Sequence, residues 1–99
     1  MVEDGRSQYA ATKAALVAMA LSWAIELAPR GVTANVVAPA ATQTAMLSDP
    51  QRQSVAPRVP PIGRYIQPKE VAGAVAFLLS AEADAITGKV LTICGGSSL

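Results

Sequence analysis

The most constraining feature of this sequence is a long apolar stretch near its start. Between residues 14 and 28 only Ser22 and Glu26 interrupt the apolar side chains. A helix that is apolar on nearly all sides is normally buried on several of them. Ser7 is a suitable N-cap, and the Pro-Arg-Gly sequence that begins at Pro29 ends a helix. The pattern therefore predicts a helix over residues 8–28, covered by other polypeptide on more than one side.

A membrane span is the alternative interpretation of this helix. The stretch is rich in alanine, carries Lys13 and Glu26, and is short of the ~20 strongly apolar residues that a span requires. Burial against protein is therefore favoured. Larger apolar side chains recur at three- and four-residue spacing and form a ridge: Leu16, Met19, Trp23 and Leu27. We expect part of this surface to contact another subunit, so that the chain forms a homo-oligomer through the 8–28 helix.

The composition argues against several classes of partner and site. The 99 residues are 52% hydrophobic and 15% charged, so the chain has little polar surface with which to cover itself. A net charge of +1 without a basic cluster gives no footprint for nucleic acid. The single cysteine, Cys94, and the absence of histidine leave no intramolecular disulfide and no metal site. The acidic and polar first six residues are unlike a signal peptide, so we expect a cytoplasmic protein.

Two apolar runs and a second helix follow the first helix. Residues 32–38 and residues 90–94 are nearly continuous apolar runs rich in β-branched residues, a pattern typical of strands buried on both faces of a parallel sheet. Between them, residues 68–80 show a helical period and begin with Pro68, which suits a first helical position. This strand–helix–strand order predicts a right-handed parallel crossover in a doubly wound α/β sheet.

A long loop separates the first predicted strand from the second helix. Residues 40–67 contain four of the seven prolines, and one short helix over residues 44–54 is expected there. Long loops in compact domains usually form lids or binding sites. The apolar residues of this loop predict an inner surface: Met46, Leu47, Val55, Val59, Ile62 and Tyr65. Because two strands cannot form a doubly wound sheet, residues 1–99 are interpreted as one partial domain, the second half of an α/β fold.

A tyrosine and a lysine at the head of the first helix provide the chemistry. Tyr9 and Lys13 are four residues apart, so their side chains lie on one helix face, one turn apart. An ammonium group beside a phenol favours the phenolate form, and the pair can therefore act as a proton donor and acceptor. Spacing alone leaves a second interpretation open, in which Tyr9 packs at the helix start and Lys13 is solvated.

Five stretches of the chain, in the same order, resemble the short-chain dehydrogenase/reductase family. The Tyr-Ala-Ala-Thr-Lys segment resembles the active-site helix of that family, and Glu-Leu-Ala-Pro-Arg-Gly-Val-Thr-Ala-Asn-Val-Val-Ala-Pro at 26–39 resembles the segment after it. The other three are Thr-Ala-Met at 44–46, Pro-Lys-Glu-Val-Ala at 68–72, and Ile-Thr-Gly-Lys at 86–89 before Gly95-Gly96. The resemblance covers nearly the whole chain and implies the C-terminal half of a Rossmann-like doubly wound parallel sheet.

The resemblance also implies an activity. Family members are NAD(P)-dependent oxidoreductases that transfer a hydride between the nicotinamide and a carbonyl or alcohol substrate, such as a 3-oxoacyl thioester or a cyclic alcohol or diol. Tyr9 is then the general acid/base, and Lys13 binds the nicotinamide ribose. By the same resemblance Pro39, Thr42 and Thr44 contact the NAD or NADP cofactor, although capping of the next helix explains Thr44 nearly as well.

The sequence departs from the family pattern in several places. Ala40 stands where the family usually has glycine, which would restrict the approach of the backbone to the cofactor, and Cys94 stands where aspartate is common. Ser7 is not at the position of the family's carbonyl-polarising serine, and Asn35 does not match the motif of its catalytic asparagine. The glycine-rich turn of the family has no counterpart in the sequence. We therefore expect this chain alone to be inactive; the alternative is a non-catalytic truncated family member that oligomerises with itself or with full-length relatives.

Overall fold

A computed structural model describes residues 7–40 and 58–97 of the chain. Its elements, in chain order, are helix α1 (Ser7–Leu27), a 3-10 helix (Ala28–Arg30), strand β1 (Val36–Pro39), helix α2 (Pro68–Leu78), a second 3-10 helix (Ala81–Ala83) and strand β2 (Val90–Ile93). The predicted order of helix, strand, helix and strand is confirmed. The helix expected over residues 44–54 lies outside the described residues.

The end of α1 follows from local backbone chemistry. Proline follows the helix at the start of the 3-10 turn, and Gly31 then adopts a left-handed conformation with φ 74°. In this conformation the N–H of Gly31 donates to the carbonyl oxygen of Ala28 (3.0 Å), and the N–H of Val32 donates to that of Leu27 (3.3 Å). The carbonyl groups of Leu27 and Ala28 thereby have hydrogen-bond partners, as is usual where glycine ends a helix.

The burial predicted for α1 is not provided by the described part of this chain. Of the 21 residues of the helix, all of them described, only Ala20 and Ala24 are buried. Trp23 is 47% exposed, and Leu16 and Met19 are also exposed. Within the described ranges, two short strands and one further long helix are too little polypeptide to cover a helix that is apolar on nearly all sides. Residues Ser7–Arg30 are also long and apolar enough for a membrane span, a test that buried core helices pass as well.

The two strands form a parallel pair in one register. The N–H of Val36 donates to the carbonyl oxygen of Lys89, and the N–H of Ala40 donates to that of Ile93, both at 2.9 Å. The strands are shorter than predicted. The prediction that they are buried on both faces is wrong for this chain, because the residues of β1 are at most half-buried and most of β2 is exposed. Within residues 7–40 and 58–97 the sheet has two strands, so neither strand has neighbours on both sides to help bury its faces.

The chain, interpreted from its sequence as one partial domain, divides into two compact units. The first contains the described residues up to Val36 and residues 78–91; the second contains the described parts of residues 37–77 and 92–99. In the first unit the buried residues are Ala20, Ala24 and Ala83. In the second unit Ile66 is the most buried large side chain, with 2% of its surface exposed. The predicted inner surface of the loop is corrected here, because Val59 and Ile62 are exposed while Ile66 is buried.

Candidate functional site

Tyr9 and Lys13 lie side by side on the first turns of α1. The Nζ atom of Lys13 lies over the ring of Tyr9, 5.5 Å from the ring centroid, which is within cation–π range. Tyr9 is 57% exposed, so it does not pack closely at the helix start. Thr12 between them donates its hydroxyl to the carbonyl oxygen of Gln8 (2.8 Å). The structure therefore brings the predicted proton-transfer pair together on an open face of the helix.

The other predicted cofactor ligands are Pro39, Thr42 and Thr44. Pro39 is the last residue of β1, is exposed, and belongs to the second unit. Thr42 and Thr44 lie outside the described residues, so their contacts to a cofactor stay predictions. At Ala40, where the family has glycine, the backbone bonds to Ile93, and no described non-glycine residue has a positive φ. The local backbone thus accepts the methyl group of Ala40 without the left-handed conformation that would require glycine.

Asn35 has a structural role that the sequence interpretation missed. Its Nδ2 donates to the carbonyl oxygen of Ile86 (3.0 Å), and its Oδ1 accepts the N–H of Lys89 (3.1 Å). Beside it, the N–H of Ala34 donates to the hydroxyl oxygen of Thr87 (3.1 Å). These bonds join the segment before β1 to the segment before β2. An amide side chain within an apolar run was the available signal, because a partly buried amide requires hydrogen-bond partners.

Arg64 and Glu70 form a bidentate ion pair at the start of α2. Arg64 Nη1 lies 2.6 Å from Glu70 Oε1, and Nη2 lies 3.0 Å from Oε2. Oε1 also accepts the N–H of Gln67 (2.9 Å), so Glu70, the third residue of the helix, bonds back to the N-cap backbone as the glutamate of a capping box does. The hydrogen bonds from Arg64 and then from Gln67 lower the pKa of Glu70 to about 2. The hydrogen bond to Glu70, and then the negative charge of Glu70, raise the pKa of Arg64.

Other chemistry-bearing groups are sparse in the ranges that the structure describes. Within residues 7–40 and 58–97, no group of three or more His, Cys, Asp or Glu side chains is placed to hold a metal ion. Cys94 is half-buried directly after β2. The pair of Tyr9 and Lys13 is therefore the site on which a functional interpretation depends.

Comparison with known proteins supports the same interpretation. A family described as enoyl-(acyl carrier protein) reductase matches residues 1–98. A short-chain dehydrogenase/reductase from Serratia marcescens superposes on the whole chain with a TM-score of 0.82 and 37% identity. The chain belongs to the short-chain dehydrogenase/reductase family. The predicted α/β fold, as a fragment of a Rossmann-like sheet, is thereby confirmed.

Relatives of known activity and ligand are found within this family. The 3-oxoacyl-(acyl-carrier-protein) reductase FabG of Salmonella typhimurium is 48% identical over 99 residues, which cover 97% of this chain. A short-chain dehydrogenase of Burkholderia cenocepacia, solved in complex with NADP, matches all of the chain with a TM-score of 0.79 and 37% identity. The expectation of NAD or NADP as the cofactor of the full-length protein is thus confirmed at the level of the family.

The match is to one part of each larger protein. This short-chain dehydrogenase/reductase sequence spans about 40% of the length of the FabG relative. It spans 41% of both the Serratia and the Burkholderia chains. The activity of a whole family member therefore draws on residues beyond those of this sequence.

Proposed function

We propose that this chain carries the acid/base part of a nicotinamide-dependent oxidoreductase, and that the full-length protein transfers a hydride between NAD or NADP and a carbonyl or alcohol substrate. The observation that supports this proposal is the juxtaposition of Tyr9 and Lys13 on an exposed face of α1. Family membership turns that juxtaposition from a common helical spacing into an expected active-site feature.

The roles of the two side chains follow from their chemistry. When bound, the nicotinamide supplies the hydride for reduction of a carbonyl carbon or accepts it from an alcohol. Tyr9 gives its phenolic proton to the carbonyl oxygen in reduction and takes a proton from the alcohol in oxidation. Lys13 offers an ammonium group with three donors, which suits the hydroxyl groups of a ribose.

Lys13 suits one end of the cofactor, the nicotinamide ribose. In the second unit, β1 ends in the exposed Pro39, and ligands of doubly wound folds bind outside the carboxyl ends of the strands. A glycine-rich turn, on which the pyrophosphate of a dinucleotide would rest, has no counterpart in the sequence. We therefore expect the 99-residue chain by itself to bind nicotinamide cofactor too weakly for catalysis.

A 3-oxoacyl thioester is the substrate class best supported. The FabG relative at 48% identity is named as a 3-oxoacyl-(acyl-carrier-protein) reductase. A carbonyl at the third carbon of a thioester suits reduction by hydride transfer with proton donation from a phenol. Cyclic alcohols and diols are the second class, since the same acid/base pair operates in the oxidative direction.

A non-catalytic role is the alternative proposal, and one observation favours it. The apolar ridge of α1 is exposed in this chain, at Leu16, Met19 and Trp23. Exposed apolar surface of this kind is typical of a surface that contacts other polypeptide. The chain would then associate through α1 with itself or with full-length relatives, without catalysing a reaction.

The encoding frame upstream of Met1 separates these proposals. A frame that continues into a strand, a glycine-rich turn and a serine upstream of Tyr9 supports the oxidoreductase, and the longer protein can then be assayed with NADPH and a 3-oxoacyl thioester. Tyr9→Phe should lower the rate by about 10²–10⁴-fold, the usual contribution of general acid/base catalysis. Tyr65→Phe is the matched control, because Tyr65 is the other tyrosine and lies in the second unit. Equal rates for wild type and Tyr9→Phe would overturn the assignment.

A further inference from the structure

The turn formed by residues 60–63 lies on the paired glycines that follow β2. The N–H of Ile62 donates to the carbonyl oxygen of Gly95 (3.0 Å), and the N–H of Gly63 donates to that of Pro60 (2.9 Å), which closes the turn. Gly95 and Gly96 both have positive φ angles, 56° and 95°. The backbone of the turn and the backbone after β2 are thus joined directly.

Close contact, in addition to backbone conformation, requires glycine at this place. A Cβ atom at Gly95 would lie 2.7 Å from Cγ1 of Ile62 and 2.9 Å from Cβ of Pro60, distances at which atoms must shift. A Cβ atom at Gly96 would lie 3.1 Å from Cβ of Pro61. Gly31 also has a positive φ, but a Cβ atom there would meet no other atom within 4 Å. Close contact is therefore specific to Gly95 and Gly96 in this comparison.

The same segment has a second attachment a few residues later. Arg64 pairs with Glu70 through both carboxylate oxygens and also donates to the carbonyl oxygen of Tyr65 (3.2 Å). Glu70 in turn accepts the N–H of Gln67 (2.9 Å). Ile66, between these groups, is almost fully buried. The segment is therefore fixed at the turn by backbone contact and at the helix start by an ion pair.

We propose that these two attachments form a latch, in which Gly95 and Gly96 seat the turn at residues 60–63 and the Arg64–Glu70 pair fastens the same segment to α2. The latch holds residues 60–70, which lead into α2, against the backbone that follows the carboxyl end of β2. Doubly wound folds bind their ligands at that end of the sheet. The latch itself rests on the contacts above. The inference that it shapes the edge of the sheet where a cofactor would bind rests on the proposed function.

Amide hydrogen exchange of the full 99-residue chain, measured by NMR without cofactor, tests the latch. In Gly95→Ala the exchange rate of the Ile62 amide should rise by about tenfold or more, because the added methyl group lies too close to Ile62 and Pro60. The Gly88 amide, which donates to the carbonyl oxygen of Ala34 (2.9 Å), reports whether the rest of the chain stays folded. Gly31→Ala is the matched control, since it adds the same backbone strain without the contact and should leave Ile62 unchanged.

Two further variants decide between the latch and general destabilisation. In the Gly95→Ala background, Ile62→Ala removes the atoms nearest to the new methyl group and should recover part of the lost protection at residue 62. Arg64→Gln should also speed exchange at Ile62, because the two attachments hold one segment. If Gly95→Ala speeds hydrogen exchange at the Ile62 amide no more than Gly31→Ala does, the latch is wrong. Should Gly95→Ala unfold the chain, Arg64→Gln decides, and unchanged exchange at Ile62 would overturn it.

Discussion

Asn35 bridges two backbone groups that precede β2, accepting the N–H of Lys89 at 3.1 Å and donating to the carbonyl oxygen of Ile86 at 3.0 Å. The side chain of Asn35, directly before β1, thereby fixes the segment that leads into β2. The register that continues from Val36 to Ala40 begins at this bridge. Asn35 is thus a framework residue of the first unit.

Replacement of Asn35 should reveal this bridge. We expect Asn35→Ala to lower the free energy of unfolding by about 1–3 kcal/mol, because the N–H of Lys89 and the carbonyl of Ile86 both lose a partner. Urea denaturation measures the change. Asn35→Asp keeps an acceptor for Lys89 but places a carboxylate against the carbonyl oxygen of Ile86. The Lys89 amide should therefore remain protected in Asn35→Asp and lose protection in Asn35→Ala; equal protection in both would contradict the bridge.

The ion pair of Glu70 predicts a dependence of stability on pH. The pKa of Glu70 in the folded chain is about 2, below its ordinary value of 4.5. A lowered pKa means that the carboxylate favours the folded state above about pH 4.5 and that this contribution is lost as the pH falls through about 2. An NMR titration of the Glu70 side chain measures the midpoint. Arg64→Gln should raise the midpoint toward 4.5, and an unchanged midpoint would show that Arg64 is not its cause.

The isolated chain should not catalyse the family reaction. We expect purified 99-residue protein to show no saturable binding of NADPH in a fluorescence titration and no reduction of a 3-oxoacyl thioester. The physical reason is that the sequence contains no glycine-rich turn to bind the pyrophosphate of the cofactor. Turnover that depends on cofactor and disappears in Tyr9→Phe, but not in Tyr65→Phe, would contradict this expectation and show that the chain is sufficient for catalysis.

The exposed ridge of α1 should cause association. Sedimentation at micromolar concentration is expected to show species larger than a monomer, and Trp23→Glu should weaken the association by about 30-fold or more, as for a central aromatic contact. Leu79→Glu is the control, because Leu79 is an exposed apolar residue outside α1. A compact monomer would contradict the predicted homo-oligomer. Recovery of the chain with lipid vesicles in a flotation assay would instead support a membrane span at Ser7–Arg30.

The sequence predicts local structure well where the chain supplies its own determinants. The α1 helix ends at the predicted Pro-Arg-Gly sequence because Gly31 provides the left-handed conformation that ends a helix. Burial was predicted less well. An apolar pattern such as the ridge at Trp23 shows that a surface favours burial, but it does not show whether residues of this chain cover that surface. That Tyr9 and Lys13 lie side by side was predictable from helical spacing, whereas their role as an acid/base pair depends on the family resemblance. Contacts between distant segments, such as Gly95 with Ile62, leave no periodic pattern in the sequence from which they could be predicted.

A single oxygen atom, Oε1 of Glu70, accepts hydrogen bonds from both Arg64 and Gln67. The number of residues between Arg64 and Glu70 is therefore fixed by geometry, since an insertion or deletion there would separate the guanidinium group from the helix start. Among relatives of this chain we expect length differences in the 40–67 loop to occur before Pro60, where the turn begins. The variable and invariant parts of the loop would then meet at a defined residue.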